Sequence, residues 1–191
     1  MNKKLLAIAA IATLSSMSVI AGGVSYVPDS EVYCAPPFPI GWYLSLNAGG
    51  TVVGEINKNG NQHSGFESYA ITAYGGYQYD DTWAAEIGVG YHDMDNYGNF
   101  EIFDIAIKAS MPINDYVNVF AKLGGAAYTL KVCDGGCASE TKGAPFFGGG
   151  FGFQFSPMLR ATVEYDGVYA TSGMADGSLG AVTAGLTYYF L

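Results

Sequence analysis

From Gly41 to the end of the chain, apolar and polar positions alternate with a period of two, interrupted only by short polar or glycine-rich stretches. A two-residue period is the signature of a strand with two unlike faces. The closing stretch shows it clearly: Ala184, Leu186, Tyr188 and Phe190 share one face, and Thr183, Gly185, Thr187 and Tyr189 share the other. Seven earlier strands follow from the same pattern. The first, about Gly41 to Gly50, sets Trp42, Leu44, Leu46 and Ala48 against Tyr43, Ser45, Asn47 and Gly49. The second, near Ser68 to Tyr79, sets Tyr69, Ile71, Ala73, Tyr77 and Tyr79 against Ala70, Thr72, Tyr74, Gly76 and Gln78. The third and fourth oppose Trp83, Ile87, Val89 and Tyr91 to Glu86, Gly88 and His92, and Phe103, Ile105, Ile107 and Met111 to Asp104, Lys108 and Ser110. In the fifth to seventh, Val119 and Leu123 oppose Lys122, Phe151, Phe153 and Phe155 oppose Gly150, Gly152 and Gln154, and Leu159, Val163 and Tyr165 oppose Arg160, Glu164 and Asp166.

The charges choose one face throughout. Glu86, Asp104, Lys108, Lys122, Arg160, Glu164 and Asp166 all lie on the less apolar side, among glycines. A soluble barrel would turn its apolar face inward, but this chain has more large aromatics than an eight-stranded lumen can hold. The aromatic edge of the last strand also needs a partner, because unpaired backbone groups beside apolar side chains invite aggregation. Pairing it with the first strand closes the sheet, which lipid requires. The expectation is therefore all-β: an eight-stranded antiparallel up-and-down transmembrane β-barrel over residues 41–191. A charge facing lipid at mid-bilayer costs about 2–4 kcal/mol, and only Glu101, near a strand end, breaks the rule.

The connections alternate in length. Asp80-Asp81-Thr82, Pro112 to Asp115 and Ser156-Pro157-Met158 read as tight turns, whereas Val52 to Glu67, Asp93 to Asn99, Leu130 to Gly143 and Ala170 to Asp176 read as longer polar loops. Short turns belong on the periplasmic side and long loops outside. Trp42, Tyr77, Trp83, Phe153, Phe155, Tyr188 and Phe190 then fall where an interfacial aromatic girdle is expected.

Ahead of the barrel, Lys3 and Lys4 precede a short apolar run, Leu5 to Leu14, and a small-residue site at Val19-Ile20-Ala21. This predicts a cleaved secretory signal peptide over 1–21 and export. Residues 22–40 carry Pro28, Pro36, Pro37 and Pro39 without periodicity and are expected as an extended periplasmic lead-in. The net charge of -9 becomes more negative once Lys3 and Lys4 are removed, which argues against nucleic acid as a partner. Of the three cysteines, Cys133 and Cys137 flank Asp-Gly-Gly and are expected as a loop disulfide. Cys34 is left over, either as an inert thiol or as an intermolecular link.

On the residues Gly41-Trp42-Tyr43-Leu44-Ser45-Leu46-Asn47-Ala48-Gly49, Tyr74-Gly75-Gly76-Tyr77-Gln78, Lys122-Leu123-Gly124-Gly125, Arg160-Ala161-Thr162-Val163-Glu164-Tyr165 and Gly185-Leu186-Thr187-Tyr188-Tyr189-Phe190, the chain resembles the eight-stranded transmembrane domain of the OmpA-like and opacity-protein families. The resemblance covers Gly41 to Leu191, the transmembrane domain only; OmpA proper continues into a periplasmic peptidoglycan-binding domain, which is not expected here because the sequence stops at the eighth strand. It implies outer-membrane lipids and lipopolysaccharide as surroundings, and a C-terminal strand read by the barrel-insertion machinery. It also implies a lumen ion-pair network, with the family's arginine falling at Thr162 and Arg160 one lumen position earlier.

Seven buried charges must pair, so a plugged lumen is the first expectation and a narrow pore the second. The functional expectation is a structural or adhesive surface antigen of a Gram-negative outer membrane, possessing a possible host ligand at its loops; the alternative is a narrow porin. Catalysis is not expected. A lipid A-modifying hydrolase needs His, Ser and an acid together, and neither His63 nor His92 has a serine at same-face spacing. No metal or cofactor site is expected either: Asp93 to Gly98 only faintly echoes a calcium loop, with Tyr97 at its fifth place.

Overall fold

The computed structural model describes residues 39–58, 61–95, 98–133, 137–171 and 176–190. The expected signal peptide and all but the end of the lead-in, with Cys34, lie outside the described residues. The described residues form β1 (Gly41–Lys58), β2 (Asn61–Gln78), β3 (Trp83–Asp93), β4 (Gly98–Pro112), β5 (Val117–Cys133), β6 (Cys137–Ser156), β7 (Leu159–Thr171) and β8 (Asp176–Phe190). Each strand pairs antiparallel with its sequence neighbour, and β8 closes on β1 from Trp42↔Phe190 to Val53↔Leu179. No edge remains, so the backbone groups are satisfied within the sheet, as a lipid environment demands. Among the described residues no helix is long and apolar enough to cross a membrane.

At one end the turns are tight, and each is closed by its own first polar side chain. Asp80 Oδ1 accepts from the Thr82 and Trp83 amides at 2.8 and 2.7 Å, and Asn114 Oδ1 accepts from Tyr116 and Val117 at 2.9 Å each. Ser156 Oγ accepts from Met158 and Leu159 at 3.3 and 3.1 Å. These local bonds close each reversal, and amides of the neighbouring strands, Ser110, Gln154 and Tyr189, donate to Thr82 O, Tyr116 O and Met158 O of the three turns.

At the other end the strands outrun the sequence reading. Segments 52–67 and 130–143, expected as loops, largely continue the ladder: β1 runs on to Lys58, and β5 and β6 pair as far as Cys133↔Cys137. In β1 and β2, irregularities between Gly50/Val52 and Val53/Ile56 break the two-residue period that identified the lower strand. In β5 and β6 the period persists, but the polarity of the two faces reverses.

That reversal divides the barrel into two layers. Toward the tight turns, Ile105 and Leu123 point outward at 61 % and 71 % exposure while Asp104, Lys108 and Lys122 are buried inside. Toward the long hairpins, Glu101 and Lys131 point outward, while Phe100, Ile102, Tyr128 and Leu130 are buried. These four pack with Val53, Met94, Phe146, Val168 and Leu179 into one apolar cluster. The lower layer is built for hydrocarbon outside and the upper layer for water outside. In β4 the outward apolar run is Phe103 to Met111, about the 9–11 residues that a tilted strand needs to cross a bilayer.

Candidate functional site

Lys122 occupies the centre of the lower lumen. Its Nζ lies 3.1 Å from Glu86 Oε2, 2.9 Å from Glu164 Oε2 and 3.5 Å from Asp166 Oδ2. Lys108 Nζ reaches Glu86 Oε1 at 3.0 Å. Neutral donors reinforce these pairs: Tyr43 OH donates at 2.6 Å to Glu86 Oε1, which Lys108 also reaches, and Tyr74 OH at 2.8 Å to Asp166 Oδ2, which Lys122 also reaches, while Asn47 Nδ2 donates to the other Glu164 oxygen, Oε1, at 2.6 Å. The ammonium groups also lie over rings, Lys122 3.8 Å from the Tyr74 centroid and Lys108 4.4 Å from that of Phe120. Removing a charge from water costs several kcal/mol, and only such dense pairing offsets it.

Five of the seven predicted lumen charges thus form one connected network. The other two flank it. Arg160 Nε donates to Gln154 Oε1 at 2.8 Å, and its guanidinium lies 5.0 Å from the Tyr189 ring, at the tight-turn end. Gln154 in turn donates to Ser156 O at 2.5 Å, so the arginine is joined to the β6–β7 turn. Asp104 makes no ion pair among the described residues, and its Oδ1 is buried without a hydrogen-bond partner.

The ladder register explains how so narrow a barrel holds these groups. Across the lumen face, Asp104 is opposite Gly88, Glu164 opposite Gly150, and Asp166 opposite Gly148. A Cβ at Gly148 would collide with Asp166 Oδ1, and one at Gly88 with Asp104 Oδ2. The missing side chains provide the volume the acids occupy. Tyr43, Asn47 and Tyr74 complete the network and were not singled out from sequence, although inward-facing polar tips at those positions were the available signal. The upper apolar cluster was missed altogether.

The predicted interfacial aromatics surround the tight-turn end. Trp42 packs edge-on against Tyr77 at 5.1 Å, and Tyr188 against Phe190 at 5.2 Å; Trp83, Phe153 and Phe155 are exposed on the same outer face. At the opposite end, Cys137 is disulfide-bonded and stands across the ladder from Cys133. There the Glu140 carboxylate, 2.8 Å from Lys142 Nζ, holds that ammonium above its ordinary range, chiefly through their hydrogen bond. His92 is buried in the lumen, stacked on Phe100 with centroids 4.3 Å apart, and the His63 side chain lies outside the described residues.

An inward ion-pair plug, an outward apolar belt and a closed eight-strand ladder together describe a membrane barrel, and comparison with known proteins agrees. The family described as outer membrane protein beta-barrel domain matches residues 35–190. The chain belongs to that family. It is an eight-stranded outer-membrane β-barrel. No curated relative matches it. Among solved structures it resembles Neisserial surface protein A, NspA, with 14 % identity and a TM-score of 0.59 over 78 % of this chain and 97 % of that one. It also resembles the N-terminal β-barrel domain of Pseudomonas aeruginosa OprF, with 11 % identity and a TM-score of 0.57 over 78 % and 97 % of the two chains. Ail, the attachment invasion locus protein of Yersinia pestis, matches with 18 % identity and a TM-score of 0.54 over 80 % and 99 %, and has also been solved with the heparin analogue sucrose octasulfate. At such identities the family's fold is shared.

Proposed function

We propose that this outer-membrane barrel is a surface antigen or adhesin whose lumen is a closed scaffold and whose long hairpins make the contacts. The observation that carries the reading is the double filling of the interior: the Lys122 ion-pair network occupies the lower layer and the Phe100, Leu130 and Phe146 cluster the upper one. A barrel filled at both levels offers its outer rim, not its lumen, to partners. The paired strands of the β1–β2 and β5–β6 hairpins rise furthest above the apolar belt, as two walls on opposite sides of the barrel. By the rule that long connections face outward, these walls lie outside the cell.

The outer segments carry Glu55, Glu67, Asp93, Asp95, Glu101, Asp134, Glu140 and Asp176 against Lys58, Lys131 and Lys142. Such a surface favours a cationic host partner and disfavours a sulfated glycan of the kind bound to Ail. In this reading the chain is exported by its N-terminal leader, is inserted by machinery that reads β8, and sits among outer-membrane lipids and lipopolysaccharide. Cys133 is the proposed partner of Cys137, and no catalytic role is assigned. Whole cells expressing the protein, or a variant with the β5–β6 hairpin shortened above Leu130, are compared for attachment to epithelial cells and basic matrix proteins. Attachment that falls with the shortened hairpin and with added salt supports the proposal; attachment equal to that of cells lacking the protein rejects it.

A further inference from the structure

Between the two fillings of the barrel lies a small cavity. Its walls include Asp104, Asp166, His92 and Tyr74, and Ile102 and Phe146 of the apolar cluster bound it above. It has room for about one water-sized body. Three polar atoms of its lining are buried and have no hydrogen-bond partner: Asp104 Oδ1, Asp166 Oδ1 and His92 Nδ1. Buried polar groups are rarely left so, and a cluster of three around one space indicates an occupant.

The charges say which kind. Glu86, Asp104, Glu164 and Asp166 face Lys108, Lys122 and Arg160, leaving one negative charge in excess. Lys122 and Lys108 are committed to Glu86, Glu164 and Asp166, and Arg160 sits at the tight-turn end with Gln154. The unmatched carboxylate is therefore Asp104, which makes no ion pair among the described residues. Two aspartate oxygens with free lone pairs suit a cation and would repel an anion. Among the described residues no three His, Cys, Asp or Glu side chains converge as a metal-ligand set. A divalent ion that needs a cage of carboxylates therefore has no site here.

We infer that the cavity binds a small monovalent inorganic cation, sodium or potassium, at Asp104 and Asp166. The ion supplies the positive charge that the lysines do not, and it locks the ion-pair layer to the apolar layer above. Its binding is a property of the folded barrel, because the two aspartates come together only when β4 and β7 are both in place.

The test uses the full barrel refolded in micelles, in sodium, potassium or choline chloride at equal ionic strength, with urea unfolding followed by tryptophan fluorescence. The expected result is a higher midpoint in one of the two inorganic salts than in choline, rising with the logarithm of that cation's concentration. Asp104→Asn is expected to abolish the difference. If potassium is the stabilising salt, crystals grown with rubidium or thallium are expected to show an anomalous peak within ligand distance of Asp104, and the absence of that peak would overturn the inference. Equal midpoints in all three salts, or a cation effect that persists in Asp104→Asn, would overturn it for either ion, leaving water or a proton as the occupant.

Discussion

Glu101 Oε1 and Lys131 Nζ lie 3.2 Å apart on the outward face of β4 and β5, one outward position beyond Phe103. Both side chains are about half exposed, and the pair marks where the barrel's outer surface changes from hydrocarbon to water. In the alternating sequence Glu101 is the one acid on the apolar face. In the fold it belongs to the upper layer, where the outward face is polar and the inward face apolar. An exposed pair of this kind contributes about 0–1 kcal/mol, so its value lies in what it reports about depth.

The same substitution should therefore have very different costs on either side of that line. Thr129→Arg, level with Glu101, is expected to change stability by less than about 1 kcal/mol, as a surface substitution does. Ile105→Arg, within the belt, is expected to cost about 2–4 kcal/mol. Urea unfolding in lipid vesicles, followed by tryptophan fluorescence, measures both.

Lys122 bridges three carboxylates at once; Glu86 also has Lys108, but Glu164 and Asp166 make no second ion pair among the described residues. Lys122→Met should destabilise the barrel by about 3–5 kcal/mol, because three buried acids lose their shared partner. Lys122→Arg should recover only part of this, since a planar guanidinium cannot present three donors tetrahedrally. Guanidinium unfolding of the three proteins in micelles compares them directly.

Gly148 tests the idea that glycines create the space for the acids. Gly148→Ala sets a methyl group against Asp166 Oδ1 and should cost about 1–3 kcal/mol. Adding Asp166→Ala should make that cost smaller than it is in the wild-type background. A double-mutant cycle in urea reads the coupling, and simple additivity would show that Gly148 matters for another reason.

Two fillings in series also make a prediction about conduction. Lys122→Met should give no steady openings in planar bilayers, because the cluster around Phe146 and Leu130 still fills the upper layer. Lys122→Met combined with Phe146→Ala is the variant expected to leak. Steady conductance from the wild-type protein would favour the narrow-porin reading instead.

What the sequence disclosed and what it hid have a common physical cause. Within the belt, lipid forces each strand to be apolar outward, so Ile105, Leu123 and Val163 announce the strand, its facing and the lumen position of Lys122 together. The seven lumen charges were legible as residues sharing one interior, but alternation carries no distance along the barrel axis. It could not place Arg160 at the tight-turn end or leave Asp104 outside the ion pairs. Above the belt the rule inverts. Tyr128 and Leu130 turn inward as in a soluble protein, and a search for outward apolar residues stops there, ending the strands too early. Irregular pairing near Val52 hid β1 in the same way.

That inversion is what makes the lower barrel a membrane surface, and nitroxide accessibility tests it most directly. Spin labels placed singly at Ile105, Val163 and Thr129 in the barrel, reconstituted in lipid bilayers, are exposed in turn to oxygen and to a water-soluble nickel chelate. The expected result is relaxation by oxygen at 105 and 163 and by the nickel chelate at 129. Nickel access at Ile105 and Val163 equal to that at Thr129 would mean that the lower face meets water, and the membrane reading of this barrel would be wrong.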